Sequence, residues 1–459
     1  MVKDLTKGSP MRLLFFFALP MLVGNIFQQF YNIVDSVIVG NFVGSDALAA
    51  VGAAFPVVFL SISVAAGLSM GASVVVSQQF GAKRIKDMKA TISTAAIGMV
   101  VLAVLVMIFG TLFARPLLVL LKTPDNIIVD SAAYLQIYFI GAAFLFLYNI
   151  FNAVYNALGD SHSPLRFLIL ATILNIILDY SFVVYLNMGV AGVAWATLIA
   201  QGISAVLAGV FLVRKLIKIP NEEPGKHKWF DKAAVGRIAR VGVPSMLQQS
   251  LVSVSMMLMQ GLVNGYGSDF IAGYTAATKI DTIAMMPMMN FSNALSSYTA
   301  QNIGAGKSDR VKAGYKAILF MTLCFCVVIT LAVYLFGPNL IGIFMDSNKS
   351  AAVINYGVSY MKVVSVFYLL MGVLFSTNGV LRGSGDMSAF LLSSLTNLGG
   401  RVAAAYLLNS FIGSGAIWWS IPLGWLLGST ISVIRYAGGK WKKKAIVSVV
   451  PEELPKAER

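Results

Sequence analysis

Charged residues are scarce in this sequence. Only 12% of its 459 residues are Asp, Glu, Lys or Arg, against about 25% in soluble domains, while 58% are hydrophobic and the mean hydropathy is +0.80. This composition does not suit a surface kept in water, so we expect an integral membrane protein. Its apolar runs of about 20–30 residues fit roughly twelve spanning helices in an all-α polytopic fold.

Cysteine and histidine are nearly absent, with two of each. Cys324 and Cys326 share one apolar run and suggest neither a disulfide nor a metal site, and His162 and His227 fall in predicted loops. The sequence has no HExxH motif, no Ser–Lys pair at a turn and no GxxxxGK[ST] phosphate loop. We therefore expect neither an intramembrane enzyme nor an ATP-driven pump, and no cofactor beyond a coupling ion.

Basic residues outnumber acidic ones, and the formal net charge of +15 would by itself be compatible with a nucleic-acid partner. Their placement favours the lipid bilayer instead. With the N-terminus inside, most of the 34 lysines and arginines fall on one side, largely in residues 83–89, 214–240, 307–316 and 435–444. The positive-inside rule then predicts a multi-pass protein of the plasma membrane with both termini in the cytoplasm. We expect a monomer.

The chain repeats itself at an offset of 223 or 224 residues. The matching pairs are Pro20 and Pro244, Gly44 and Gly267, Gln78 and Gln301, and Gly192 and Gly415. This period predicts an N-lobe over residues 1–219 and a C-lobe over 233–436, each with six helices, related by a pseudo-two-fold axis along the membrane normal. A charged linker with two prolines over 220–232 and a polar cytoplasmic tail over 437–459 complete the predicted division.

Asn175 and Asp179 stand one helical turn apart in an otherwise apolar run, predicted helix 5. An aspartate at the centre of a membrane helix costs roughly 2.5–3.5 kcal/mol, which favours a functional role over a structural one. Predicted helix 1 contains Pro20, a candidate hinge. It also has a polar stripe formed by Asn25, Gln28, Asn32 and Asp35.

Counting from the predicted outer helix ends places Asp35, Asp179 and Thr197 at similar depths of about 9–12 Å. Two carboxylates in one low-dielectric cavity repel each other. Such a pair can load a proton and release it as access alternates.

Further polar residues line up on predicted helix 4, over residues 131–158, and on predicted helix 7. They could line a substrate cavity or join helices by hydrogen bonds: Asn149, Asn152, Tyr155, Asn156 and Gln248. The second lobe has no carboxylate matching Asp35 or Asp179. Its ionisable residues are Lys279, Asp281 and Arg401, and we expect Arg401 to neutralise Asp281 in a structural ion pair, a gate or a second site.

The chain resembles the multidrug and toxic compound extrusion (MATE) transporters over residues 10–436. The resemblance rests on residues 78–82, 175–179, 189–192, 196–197, 301–306 and 381–386. It implies antiport of cationic amphiphilic compounds out of the cell against an inward flow of protons or sodium ions. It also implies a coupling site at Asp35, Asn175 and Asp179, with Thr197 beside them.

Family members with a cation site in the second lobe have an acidic residue in helix 10, where this chain has Met371. This difference favours coupling in the first lobe. The alternative function is a flippase for lipid-linked precursors of the same superfamily. A flippase would be expected to line its cavity with several cations for pyrophosphate, and here only Lys279 and Arg401 qualify.

Overall fold

The computed structural model describes residues 3–220, 228–343 and 351–447, and its regular structure in these ranges is helical. The first half contains α1 (Pro10–Ile38), α2 (Ser45–Gly81), α3 (Ile85–Leu120), α4 (Ile128–Ile140), α5 (Ala142–Ala157), α6 (His162–Tyr180) and α7 (Gly189–Ile217). The second half contains α8 (Lys232–Asn264), α9 (Ser268–Gly304), α10 (Ser308–Gly342), α11 (Ala351–Val366), α12 (Tyr368–Ser384), α13 (Met387–Ile412) and α14 (Gly415–Ala437). Two π-helical turns, Val39–Val43 and Ser181–Tyr185, extend α1 and α6.

Within the described ranges, eight helices are long and apolar enough to cross a membrane. The count is ten when the bent pairs α4–α5 and α11–α12 are each taken as one span. Helices α9 and α13 are 37 and 26 residues long but more polar, because they contain the ionisable residues predicted for the second lobe. The all-α polytopic fold is confirmed. By length and hydropathy alone, eight to ten of the roughly twelve predicted spans qualify as membrane-spanning helices in the described ranges.

The predicted fourth helix is not continuous. It breaks at Gly141 into α4 and α5, which are bent by 51°. A Cβ atom on Gly141 would lie 2.9 Å from the Leu198 side chain, so glycine permits the close approach of α7 at the bend. A bend of 53° separates α11 from α12, where the Thr330 hydroxyl donates to the Ser365 carbonyl oxygen at 2.8 Å.

The sequence repeat extends to the backbone. Helices α2 and α9 both contain 37 residues, and they follow Gly44 and Gly267, whose φ angles are +117° and +85°. The turns after these helices contain Lys83 at φ +58° and Gly306 at φ +72°. A lysine therefore adopts, in the first half, the left-handed conformation for which the second half uses glycine.

The chain forms two compact units. Unit 1 contains Leu19–Met246 and the residues before Leu5, and unit 2 contains Leu5–Ala18 and the residues from Leu247 onward. The chain passes between the units within α1 just before Pro20 and within α8 just after Pro244. Residues 221–227, most of the predicted linker and with them His227, lie outside the described residues, so the lobe boundaries at 219 and 233 stay a prediction.

The first and last described segments both pack within unit 2. Leu5 is buried and its N–H donates to Gln301 Oε1 at 2.9 Å, and Arg310 Nη2 donates to the Gly8 carbonyl oxygen at 2.9 Å. Trp441 is buried and stacks on Tyr436 at 5.6 Å. The predicted polar tail is therefore structured up to residue 447, because Trp441 supplies an apolar anchor, and residues 448–459 lie outside the described residues.

Each unit holds a buried aspartate in the turn that follows its bent pair. Asp160 and Asp386 are each 1% exposed. Lys215 in the last turn of α7 donates to Asp160, and Arg435 in the last turn of α14 donates to both oxygens of Asp386 at 2.6 and 3.2 Å. The duplicated ion pair connects this turn to the last helix of each half.

The ion pair between Asp160 and Lys215 makes the stability of the fold depend on pH. Burial alone would raise the pKa of Asp160, but hydrogen bonds from Lys215 and Ser163 outweigh burial and hold the pKa below its usual value. The carboxylate therefore stabilises the fold above its unfolded-state pKa of about 3.9, and this contribution is lost as pH falls through the lower folded-state pKa. We expect Asp160→Asn to lower the free energy of unfolding at pH 7 by about 1–3 kcal/mol and to reduce the loss of stability in acid.

Thermal unfolding in detergent at pH 7 and in an acid series measures both effects. Asp309→Asn is the matched control, because Asp309 also pairs with a lysine, Lys312, but its side chain is 91% exposed. The control should melt like the wild type. An Asp160→Asn protein that does the same would contradict the structural role.

Candidate ion-coupling site

Asp35 and Asp179 each precede a π-helical turn. The turn Val39–Val43 begins four residues after Asp35, the turn Ser181–Tyr185 begins two residues after Asp179, and the two turns lie against each other. Asp35, Asp179 and Thr197 lie eight, six and eight residues from the nearby ends of these helices. These counts correspond to roughly 12, 9 and 12 Å. The three residues therefore lie at similar depth.

The two carboxyl groups face each other inside unit 1. Each lies within interaction range of the other, and Asp179 is 0% exposed. By strict hydrogen-bond geometry neither oxygen of Asp179 has a donor in the described ranges, although the Asn175 amide one turn away also acts on it, and the buried Oδ1 of Asp35 likewise lacks a donor. Two ionised carboxylates can only accept hydrogen bonds, so a proton on either one would make it a donor to the other. The pair therefore favours one shared proton or cation.

Thr197 on α7 joins the carboxylate helices through its hydroxyl group. Asn175 Nδ2 donates to Thr197 Oγ1 at 3.3 Å, and the Tyr31 hydroxyl lies 3.2 Å from the same oxygen. Asn175 Oδ1 is buried without a donor. The site therefore presents an amide oxygen and a hydroxyl oxygen one turn from Asp179, in addition to the carboxylates.

A small cavity of about 30 Å³ adjoins the Thr197 hydroxyl group. This volume is enough for roughly one or two water molecules. Its polar lining comes from four helices and includes Gln28, Tyr31, Tyr148, Thr172, Asn175, Thr197 and Gln201. The cavity gives unit 1 a small polar space at Asn175 and Thr197, next to the two residues that extend the carboxylate site.

The polar face of α1 differs from the predicted stripe. Gln28 and Asp35 are half-buried, but Asn25 and Asn32 are exposed. The inner face is instead Gln28, Tyr31 and Asp35, at i, i+3 and i+7. Sequence reasoning missed Tyr31 because it searched for amides and carboxylates, although a tyrosine at that helical spacing carries the same polar signal.

The predicted helix-4 candidates separate into different environments. Tyr155 does not line the cavity: it is 0% exposed, and its hydroxyl donates to the Ala208 carbonyl oxygen at 2.9 Å. Asn149 donates to its own helix at the Leu145 carbonyl oxygen, 2.8 Å away. Asn152 and Asn156 are half-buried, and each has a buried Oδ1 without a donor in the described chain. These two amides remain the better candidates for contacts beyond their own helix.

The buried carboxylate of the second unit, unlike Asp179, receives hydrogen bonds. Asp281 on α9 is 7% exposed and accepts hydrogen bonds from the Tyr368 hydroxyl at 2.7 Å and the Tyr360 hydroxyl at 3.1 Å. These tyrosines belong to α12 and α11, on either side of the 53° bend. Asp281 therefore holds the bent pair together.

The expected partner of Asp281, Arg401, acts on it only through space. Arg401 is half-buried on α13 and its charge reaches Asp281, but no direct ion pair joins them in the described ranges, where Arg401 Nε is buried without an acceptor. Two tyrosine hydroxyls satisfy the Asp281 carboxylate directly, and Arg401, predicted to neutralise it, contributes its charge from a distance. Lys279 is exposed, Gln248 is half-buried on α8, and Met371 is fully buried among apolar side chains.

Comparison with known proteins agrees with this architecture. The MatE family model matches residues 20–181 and 244–407, so it covers both sequence repeats. The chain is 33% identical to "Probable multidrug resistance protein YpnP" of Bacillus subtilis over 440 residues, which are 96% of this chain and 97% of the relative. It is 22% identical to "Probable multidrug resistance protein NorM" of Thermotoga maritima, covering 94% of this chain and 93% of that protein.

Solved structures share the fold. A MOP superfamily transporter from Pyrococcus furiosus superposes with a TM-score of 0.88 at 23% identity, covering 96% of this chain and 98% of that one. A multidrug resistance MATE family transporter described in an outward-facing conformation gives a TM-score of 0.86 at 24% identity, with the same coverage of both chains. With the family model matched in both halves, the chain belongs to the MatE family of multi-pass membrane transporters.

Proposed function

We propose that this protein is a secondary-active multidrug exporter that exchanges cationic amphiphilic compounds for protons or sodium ions by alternating access. One observation supports the proposal above the others: Asp179 is fully buried, faces Asp35, and has no hydrogen-bond donor in the described chain. Buried polar groups are nearly always satisfied, and an exception needs an explanation. A site that binds and releases a cation supplies one.

The surrounding oxygen atoms suit either ion. A proton bound to one carboxyl would donate to the other, which removes the repulsion between them. A sodium ion would find two carboxylates, Asn175 Oδ1 and Thr197 Oγ1, all hard oxygen ligands of the kind that alkali and alkaline-earth cations prefer. The protein performs no covalent chemistry in this scheme, and the ion is exchanged rather than kept as a cofactor.

An inward ion gradient sets the direction of the proposed exchange. In the orientation that the positive-inside rule predicts, with both termini in the cytoplasm, the carboxylate pair lies in the outer half of the membrane, where external ions reach it first. The relatives described as multidrug resistance proteins favour small organic substrates over the flippase alternative. Candidate substrate contacts are Gln28, Asn152, Asn156 and Gln248.

Replacing either carboxylate should abolish coupling. We expect Asp35→Asn and Asp179→Asn to reduce ion-driven efflux of a fluorescent organic cation at least tenfold in proteoliposomes, because neither variant can hold an exchangeable ion between two carboxylates. Imposing a pH gradient in one set of vesicles and a sodium gradient in another identifies the coupling ion. Unchanged efflux in both variants would rule out the site.

Thr197 should position the Asn175 amide beside the carboxylates and offer its own hydroxyl oxygen to a bound sodium ion. Thr197→Val removes the hydroxyl that binds Asn175 and Tyr31, and we expect a several-fold slower efflux with a shifted pH or sodium dependence. Thr197→Ser keeps the hydroxyl and should restore most of the wild-type rate and profile. If valine and serine behave alike, the hydroxyl has no role in coupling.

Asp281 should be structural. Because its carboxylate is satisfied by two tyrosines, Tyr368→Phe should lower the free energy of unfolding by about 1–2 kcal/mol, while efflux per folded molecule keeps its ion dependence. Asp281→Asn keeps an acceptor oxygen and should lower stability without uncoupling transport. Loss of ion-driven efflux in a folded Asp281→Asn protein would instead identify a second coupling site.

A further inference from the structure

A groove of about 340 Å³ lies on unit 2, between the start of α1 and the side of α10. Ser9, Met11, Arg12 and Phe15 line one wall, and Met321 lines the other. Met11 and Phe15 are 40% and 45% exposed. The groove is open, and it is unrelated to the carboxylate pair of unit 1.

The groove is polar at one end and apolar at the other. Ser9, Arg12 and Phe15 are spaced i, i+3 and i+6, on one face of the helix, since the Leu13 N–H already bonds the Ser9 carbonyl oxygen at 3.0 Å. Along the start of α1, the hydroxyl of Ser9 and the guanidinium of Arg12 are therefore followed, about one helical turn later, by the phenyl ring of Phe15. A phospholipid has the same order of groups, a polar headgroup followed by an apolar acyl chain.

The charge around the polar end is positive. Arg12 forms no ion pair in the described part of the chain, and its guanidinium lies 6.0 Å from the Phe16 ring. Lys307 and Arg310 reach the same segment through the Thr6 and Gly8 carbonyl oxygens, at 3.4 and 2.9 Å. No carboxylate is among the residues that line the groove, so its polar end favours an anion.

We infer that this groove binds one anionic phospholipid of the cytoplasmic leaflet, with its phosphate at Arg12 and Ser9 and an acyl chain along Phe15 and Met321. The inference rests on the proposed orientation, which places the start of α1 at the inner surface, where anionic lipids attract basic residues. It does not depend on ion coupling. Guanidinium groups bind phosphate in a planar, two-bond geometry, which makes Arg12 the main headgroup contact.

The test uses the full-length protein in detergent, titrated with phosphatidylglycerol and followed by native mass spectrometry and thermal shift. A basic residue near an anionic surface contributes about 1 kcal/mol, so we expect Arg12→Gln to weaken the tightest phosphatidylglycerol adduct about fivefold. Arg12→Lys should retain part of the affinity. Met321→Trp should also weaken the adduct, because it fills the apolar end while leaving every charge in place.

Arg166→Gln is the matched control, since Arg166 is an exposed arginine near the start of α6 and should leave the adduct unchanged. Phosphatidylcholine should give no comparable adduct. Inorganic phosphate that competed at equal concentration would show a site for a free anion and overturn the lipid assignment. Wild-type phosphatidylglycerol binding in both Arg12→Gln and Met321→Trp would overturn the groove itself, and neither result would bear on efflux through Asp35 and Asp179.

Discussion

Asp179, a fully buried carboxylate that no donor in the described part of the chain satisfies by hydrogen-bond geometry, is the constraint on which the first unit depends. Placing such a group in a membrane helix costs several kcal/mol, and a protein under selection for stability alone would satisfy it or remove it. The second unit does satisfy it: Asp281 sits under two tyrosine hydroxyls. The first unit leaves Asp179 facing another acid. Asp281 therefore stabilises a bend, whereas Asp179 is suited to bind a ligand.

The two halves share a scaffold and differ in their polar groups. The bend within the fourth span, the aspartate that follows it and its cation on the last helix all occur twice. So do the left-handed residues that begin and end the second span of each half. These shared features are backbone geometry and structural ion pairs. Among the described residues, facing carboxylates occur in the first half alone, so the two halves share a scaffold without sharing this pair.

Sequence reasoning found the helices, the repeat and the buried acids because each leaves a strong local signal. Long apolar runs, a fixed offset and a carboxylate in an apolar run need no knowledge of packing. Spacing left Tyr155 open between a cavity and a hydrogen bond to another helix, and its hydroxyl donates to the Ala208 carbonyl oxygen of α7. Arg401 was paired with Asp281 by charge alone, whereas two tyrosines on either side of a bend donate to that carboxylate directly. Both outcomes depend on tertiary neighbours, which spacing along one helix does not specify.

A single pair of facing carboxylates also bears on the charge balance of transport. If the proposed antiport exchanges the one proton shared by this pair for one substrate molecule, its response to the membrane voltage depends on the charge of the substrate. For a singly charged compound, this exchange moves no net charge, and the membrane voltage, which is worth about 2.3 kcal/mol per elementary charge per 100 mV, adds nothing. A neutral compound would be expelled with help from an inside-negative voltage, and a dication would be expelled against it.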